Sequence, residues 1–262
     1  MIPSDAERMP VLFVGHGSPL SAIEHDRFSQ AWARAGRSLP RPRAILSISA
    51  HWCTRGTFVH CGERPRTIHD FYGFPKELYD QAYPCPGAPD CAEEVRCVVK
   101  RARAERDVEW GLDHGTWIVA KRLFPKADVP VFQMSLDETR SAQFHYDLGR
   151  ELSPLRRKGV LILASGNIVH NLGLMEGELD AKPCGWAQEF DAIARSSILS
   201  GDHRTLIAYA RRGDCARLSV PTPEHYWPLL YALALQEKEE KPSFFAEGIA
   251  HASVSMRAFR LG

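Results

Sequence analysis

Short apolar runs alternate along this chain with longer amphipathic stretches, the pattern of an α/β fold. Val11-Leu12-Phe13-Val14 and the residues to 15 read as a buried strand, followed by a helical stretch near 24–35. A second strand covers 44–50, and Thr57-Phe58-Val59-His60-Cys61 reads as a short third. Asp90 to Glu105 reads as a helix, opened by Pro89 and by acidic residues in its first turns. Val129 to Met134 predicts a strand, Ser141 to Leu152 a helix and 160–165 another buried strand. Trp186 to Ser200, Arg204 to Arg212 and Tyr226 to Leu235 predict helices, and Ser253 to Leu261 alternates as a final strand does. No repeat, low-complexity segment or linker divides the chain, so residues 1–262 are expected to form one domain. The expected architecture is a central, mostly parallel or mixed sheet flanked by helices.

One stretch departs from the alternation. Thr67 to Pro89 holds Phe71, Tyr72, Phe74, Tyr79, Tyr83 and four prolines. It reads either as a rigid loop suited to an aromatic ligand or as a long loop pinned to the core by its rings.

Bulk properties remove some function classes. The chain is 44% hydrophobic and 25% charged with a formal net charge of +1. That balance gives no reason to expect nucleic acid or a membrane surface as partner. No apolar run approaches the ~20 residues of a membrane span. Met1 to Arg8 are polar and charged, unlike a signal peptide. The seven cysteines are scattered; Cys85, Cys91 and Cys97 are six apart, which fits no common zinc template. Free thiols suit a reducing compartment, so a cytoplasmic protein is expected, monomeric or a small homo-oligomer. There is no P-loop, no Gly-x-Ser-x-Gly elbow, no His-Glu-x-x-His helix and no dinucleotide fingerprint.

The histidines carry the candidate chemistry. His16 lies between two glycines after the first strand, and His51 follows the second and precedes Trp52. His170 follows the strand at 160–165 through Ser165-Gly166-Asn167. In an open α/β sheet, ligands bind beyond the carboxyl ends of the strands. Imidazoles gathered at that edge could hold a divalent metal. His225 follows Pro221-Thr222-Pro223-Glu224 and opens a helix; neighbours on a helix point about a third of a turn apart, so only one of Glu224 and His225 is expected to face a metal. His114 opens the predicted helix to Leu123, where the helix dipole favours a neutral ring able to act as base or donor. Each histidine also has a structural reading, as a satisfied strand-end, capping or turn residue.

Together the motifs resemble one family. GHGSP (15–19), SAHW (49–52), DFYGFP (70–75), YPCPG (83–87), LDHGTW (112–117), SGNIVHNL (165–172), PTPEHYWPLL (221–230) and SVSMRAF (253–259) span most of the chain. In combination they are similar to the class III extradiol ring-cleavage dioxygenases, the superfamily of the protocatechuate 4,5-dioxygenase catalytic subunit, and within it to the DOPA 4,5-dioxygenase-type group. The resemblance implies one divalent metal per chain, Fe(II) for ring cleavage or Zn(II) as isolated. It implies a catechol, DOPA-like or protocatechuate-like, opened with O2 to a muconic semialdehyde. It places His16, His51 and His225 at the metal, His170 either at the metal or in acid–base catalysis, and His114 in catalysis against substrate. Better-known superfamily members use two histidines and a glutamate; the matching Glu224-His225 leaves open which of the two coordinates, and a third histidine would make the site more zinc-like. Phe71, Tyr72, Trp117, Asn167 and Asn171 are candidates for shaping the substrate pocket. Two rival functions fit the same residues: a zinc-dependent enzyme of another type, and a non-catalytic binding protein on the same fold.

Overall fold

In the computed structural model, which describes residues 8–262, six strands form the central sheet. They are β1 (Val11–Gly15), β2 (Ala44–Ser49), β3 (Val131–Gln133), β4 (Val160–Gly166), β5 (Ser243–Ala246) and β6 (Ala258–Leu261). Their order is β3-β2-β4-β1-β6-β5. β1 to β4 run parallel, and β6 and β5 add an antiparallel edge. The sheet is therefore mixed, as expected. The stretch Met1 to Glu7, most of the polar start noted above, lies outside the described residues.

Burial explains why the parallel strands read as continuous apolar runs. Side chains alternate between faces of a strand, and both faces here are covered. Val11, Phe13, Leu46, Ile48, Ile162 and Ala164 join one core, packed with helices at Ala142–Glu151, Gly185–Ser200 and Trp227–Ala234. Leu12, Val14, Ile45, Leu161 and Leu163 join the other, with Trp32 and Trp117 from the helices at Arg27–Arg37 and His114–Leu123. A parallel sheet is stable mainly when buried on both sides, which removes the polar half of the alternation.

Three predicted elements differ in extent. The helix expected over Asp90 to Glu105 stops at Val98. Val99 is extended, the Glu151 carboxylate accepts from the amides of Lys100 and Arg101, and Glu105–Asp107 pairs with Phe58–His60. A non-local pairing thus overrides the local pattern. The helix expected over Arg204 to Arg212 divides at Ala208 into His203–Ile207 and a 3-10 turn, Tyr209–Arg212. The tail strand is also two pieces, with Val254–Ser255 pairing to Ile249–Ala250 before β6 enters the main sheet. Between them Arg257 turns inward, and its guanidinium binds the buried Asp191.

Register levels the carboxyl ends of the parallel strands. Gly15 lies opposite Gly166, and Ser49 opposite Ser165. The residues that follow β1, β2 and β4 therefore emerge beside one another on the same sheet edge.

Candidate active site

His16 leaves β1 one residue after Gly15, and His51 leaves β2 two residues after Ser49. Their Nε2 atoms come within 3.0 Å. The outer nitrogen of each ring is directed away from this meeting point. His16 Nδ1 lies 3.1 Å from Ser165 Oγ, whose own hydroxyl donates to the Gly115 carbonyl at 2.6 Å. The serine oxygen is thus the acceptor for His16 Nδ1–H, and Nε2 keeps its lone pair. His51 Nδ1 lies 3.5 Å from Asp70 Oδ2, within ion-pair but not hydrogen-bond geometry, so the carboxylate's charge favours the proton on Nδ1 and leaves Nε2 its lone pair.

His225 arrives from the other side of the chain, ahead of the helix Trp227–Ala234. The Gly166 position permits this approach, because a Cβ there would stand 2.2 Å from the His225 carbonyl oxygen. The Asn167 amide donates to that carbonyl at 2.7 Å and locks the loop to the end of β4. Gly115 is needed in the same way, since a Cβ would meet Ser49 Oγ at 2.7 Å and His51 Cδ2 at 3.0 Å. His225 Nδ1 donates to Glu224 Oε1 at 3.2 Å, leaving Nε2 as the nitrogen it has to offer. One nitrogen from each of His16, His51 and His225 lies within 4.8 Å of the others.

The electrostatics suit a cation. Burial pushes the pKa of His16 and His51 well below the ordinary histidine value, and the neighbouring imidazoles lower both further. Burial also lowers His225, against the pull of Glu224. All three rings are neutral at pH 7, the state that ligates metal. Two lone pairs facing each other at 3.0 Å repel unless a cation or a shared proton lies between them. The donor chemistry therefore fits one divalent ion. Glu224 lies outside the trio and accepts from His225 Nδ1. Burial opposes its ionisation, yet hydrogen bonds from His225 and Thr222 hold its pKa down at about 2. Such outer hydrogen bonds fix the tautomer and raise ligand basicity.

His114 and His170 flank the cluster on opposite sides. His114 opens its helix behind the buried N-cap Asp113, which also accepts from Ser49 Oγ at 2.7 Å and Gln133 Nε2 at 2.8 Å. Burial, then the nearby Asp70, push the Asp113 pKa upward. Asp70 receives both the amide and Nδ1 of His114 at 2.9 Å, so its carboxylate aims that ring as well as His51. The His170 ring stacks on His225 at 3.5 Å with an interplanar angle of 6°. Burial, followed by His225, pushes its pKa down to about 3.

These rings border a cavity of about 300 Å³, the low end for small-molecule sites. Its wall includes His16, His51, His114, His170 and His225, together with Asp70, Phe74, Leu172, Met175 and Val254. The five histidines singled out in the sequence thus converge. Four of the five pocket-shaping candidates do not. Trp117 is wholly buried in the core, its indole donating to the Ile68 carbonyl. Asn167 donates to Ser255 O and Asn171 to Leu218 O, so both tie loops together behind the site. Tyr72 is 92% exposed and turned to solvent. Phe71 stands between these cases, its ring edge-on to His114 at 5.8 Å. Both readings of the aromatic loop are realised, since Tyr83 is pinned to Phe124 O while Phe74 borders the cavity. Asp70, Ser165 and Phe74 were missed as site residues. Asp70 stood only as the first residue of the DFYGFP stretch, and Ser165 only as the end of the strand at 160–165 and the start of SGNIVHNL.

Comparison with known proteins agrees with this geometry. The family description "Catalytic LigB subunit of aromatic ring-opening dioxygenase" matches residues 14–258. The chain is 41% identical over 259 residues to 4,5-DOPA dioxygenase extradiol of Escherichia coli (strain K12), covering 97% of this chain and 95% of that protein. It is 32% identical over 240 residues to the protein of the same name from Beta vulgaris, covering 87% of each. The crystal structure of an uncharacterized Escherichia coli K12 protein superposes with a TM-score of 0.85 at 37% identity, covering 97% of this chain and all of the other. Among the described residues no helix is long and apolar enough to cross a membrane. With its histidine cluster at the carboxyl edge of a mixed α/β sheet, the chain belongs to the LigB family of extradiol, aromatic ring-opening dioxygenases.

Proposed function

We propose that this enzyme opens the ring of a catechol, of the DOPA or protocatechuate type, beside its diol with O2 to give a muconic semialdehyde. His16, His51 and His225 would hold one divalent ion, Fe(II) for this reaction, through Nε2. The observation that carries the reading is the convergence of three neutral imidazoles whose outer nitrogens are engaged by Ser165, Asp70 and Glu224. When bound, the ion supplies charge that lowers a phenol pKa and a common point at which diol and O2 meet.

The protein supplies the rest. His114 Nδ1 is committed to Asp70, so Nε2 presents its lone pair to the cavity as acceptor for a catechol proton. His170, neutral and stacked on His225, borders the same space from the other side and would return a proton as the ring opens. Phe74, Leu172, Met175 and Val254 would pack against the ring and exclude water. The all-imidazole donor set equally suits zinc, which favours a second reading as a zinc-dependent enzyme of another type.

One experiment separates the two. Metal-free protein is reconstituted anaerobically with Fe(II) or Zn(II), then mixed in air with DOPA, protocatechuate and simple catechols. Oxygen uptake with a yellow product from the iron form alone is expected. Unit metal binding without uptake by either form would overturn the catechol reading for those compounds and favour a zinc or binding role.

A further inference from the structure

His251 borders the same cavity, yet it is neither part of the imidazole cluster nor engaged by any carboxylate described above. Its backbone is left-handed, with φ 51°, and Ala252 follows at φ 64°. Two successive residues with side chains rarely adopt this region, and such conformations persist where the surroundings over-determine them. Here the surroundings are visible. The His251 amide donates to Leu179 O at 3.1 Å, and its carbonyl accepts from the Glu176 amide at 2.9 Å. The strained turn thus sets the imidazole at the cavity wall.

The ring itself is under-used. Nδ1 is buried and has no partner among the described residues. A proton on Nδ1 would have no acceptor, whereas one on Nε2 is free to meet a ligand. Nε2–H is then a donor available to a ligand. Apart from the five clustered imidazoles, Asp70 and Ser18, whose oxygen already accepts from the Leu20 amide, the wall is apolar, from Pro19, Phe74, Leu172, Met175 and Val254. No lysine or arginine is among the described residues that line it. Its single carboxylate, Asp70, is already occupied by His114 and His51.

We infer that His251 is a specificity residue, donating through Nε2 to an acceptor on the arm of the substrate. The substrate class is a catechol whose short apolar arm ends in a carboxylate or carbonyl. An ammonium on that arm gains nothing, because no free carboxylate lines the wall. This inference rests on the catechol reading of the site and narrows it.

The test measures binding, which does not depend on turnover. Equilibrium affinities of dihydrocaffeate, para-ethylcatechol and DOPA are measured on the Zn(II)-loaded protein, for the native chain and for His251→Gly and His251→Asn. Glycine and asparagine both tolerate a positive φ, so the turn survives in each variant. Dihydrocaffeate is expected to bind about tenfold more tightly than para-ethylcatechol, the increment of one hydrogen bond to a charged group. DOPA is expected to bind no more tightly than dihydrocaffeate. His251→Gly should collapse the dihydrocaffeate preference, and His251→Asn should restore part of it. Equal weakening of both ligands by His251→Gly would indicate a structural role and overturn the inference, as would an unchanged ratio. Binding of neither ligand would overturn it together with the catechol reading. Oxygen uptake by the Fe(II)-loaded native chain on para-ethylcatechol judges the ring-cleavage reading separately, since that compound has no acceptor on its arm.

Discussion

The two ends of one sheet bury polar groups in opposite ways. At the amino end, Arg156 is fully buried and every nitrogen of its guanidinium is engaged: it donates to Met9 O and Leu235 O at 2.8 Å and to the Glu240 carboxylate. At the carboxyl end, five imidazoles crowd together, and Nε2 of His16, His51, His114 and His225 keeps a lone pair for a proton, a cation or a substrate. The first arrangement is complete without a ligand. The second is complete only with one, so the same burial that stabilises one edge prepares the other for chemistry.

The comparison breaks most visibly at the cluster. His16→Ala and His51→Ala are each expected to abolish metal binding and activity together, a loss well beyond the ~10–100-fold typical of an orienting partner. Metal analysis of the purified variants checks this. His170→Ala discriminates the roles of that ring, since it should retain metal while losing turnover.

At the opposite edge the effect should fall on stability and spare the site. Arg156→Met strips the buried Glu240 of its two guanidinium hydrogen bonds and leaves it Arg8 at 3.3 Å, which is expected to cost about 3 kcal/mol in urea denaturation, the low end for a broken buried pair. The double variant Arg156→Met, Glu240→Leu should recover most of this, because no charge is then stranded. Metal content should be unchanged in both.

His145 separates burial from crowding. It is fully buried outside the five-histidine cluster, hydrogen-bonded to Tyr231 at 3.0 Å, and burial pushes its pKa from 6.5 down to about 4 against the pull of Asp137. Its folded pKa lies below the unfolded one, so the stability it contributes is whole above pH 6.5 and is lost as pH falls toward 4. The full window amounts to about 3 kcal/mol. In His145→Gln that loss is absent, so the stability difference from the native chain should shrink across the same window.

The finest effect concerns orientation. Glu224→Gln keeps an acceptor for His225 but removes the charge, and metal affinity is expected to fall by about 10–100-fold. A competition assay with a chelator reads this. Unchanged affinity would mean that His225 is held by its backbone anchor to Asn167 alone.

Much of this could be read from the chain. β1, β2 and β4 were legible because both faces are covered and their apolar runs are unbroken. The helix at Ala142–Glu151 was legible because Ser141 caps it, accepting from the Phe144 amide. The five histidines stood out because glycine, proline and polar residues surround them. The pocket wall was not legible in the same way. Trp117 belongs to a helix whose inward stripe is simply core, and Asn167 and Asn171 carry turn chemistry that serves loop joints. Leu172 opens a short 3-10 turn and Met175 follows it, and neither side chain's place at the cavity is marked by periodicity or capping.

What the sequence determined by itself was local: where strands and helices form, which residues are able to ligate, and through shared motifs, the family. Only the tertiary structure decided which nitrogen of each imidazole faces inward, that Glu224 orients while His225 converges, and that Asp70 serves two rings at once. The reason is physical. Periodicity and caps act over a few residues, whereas tautomer, charge and access depend on partners brought from Ser165 and Asp70 by sheet register and loop closure.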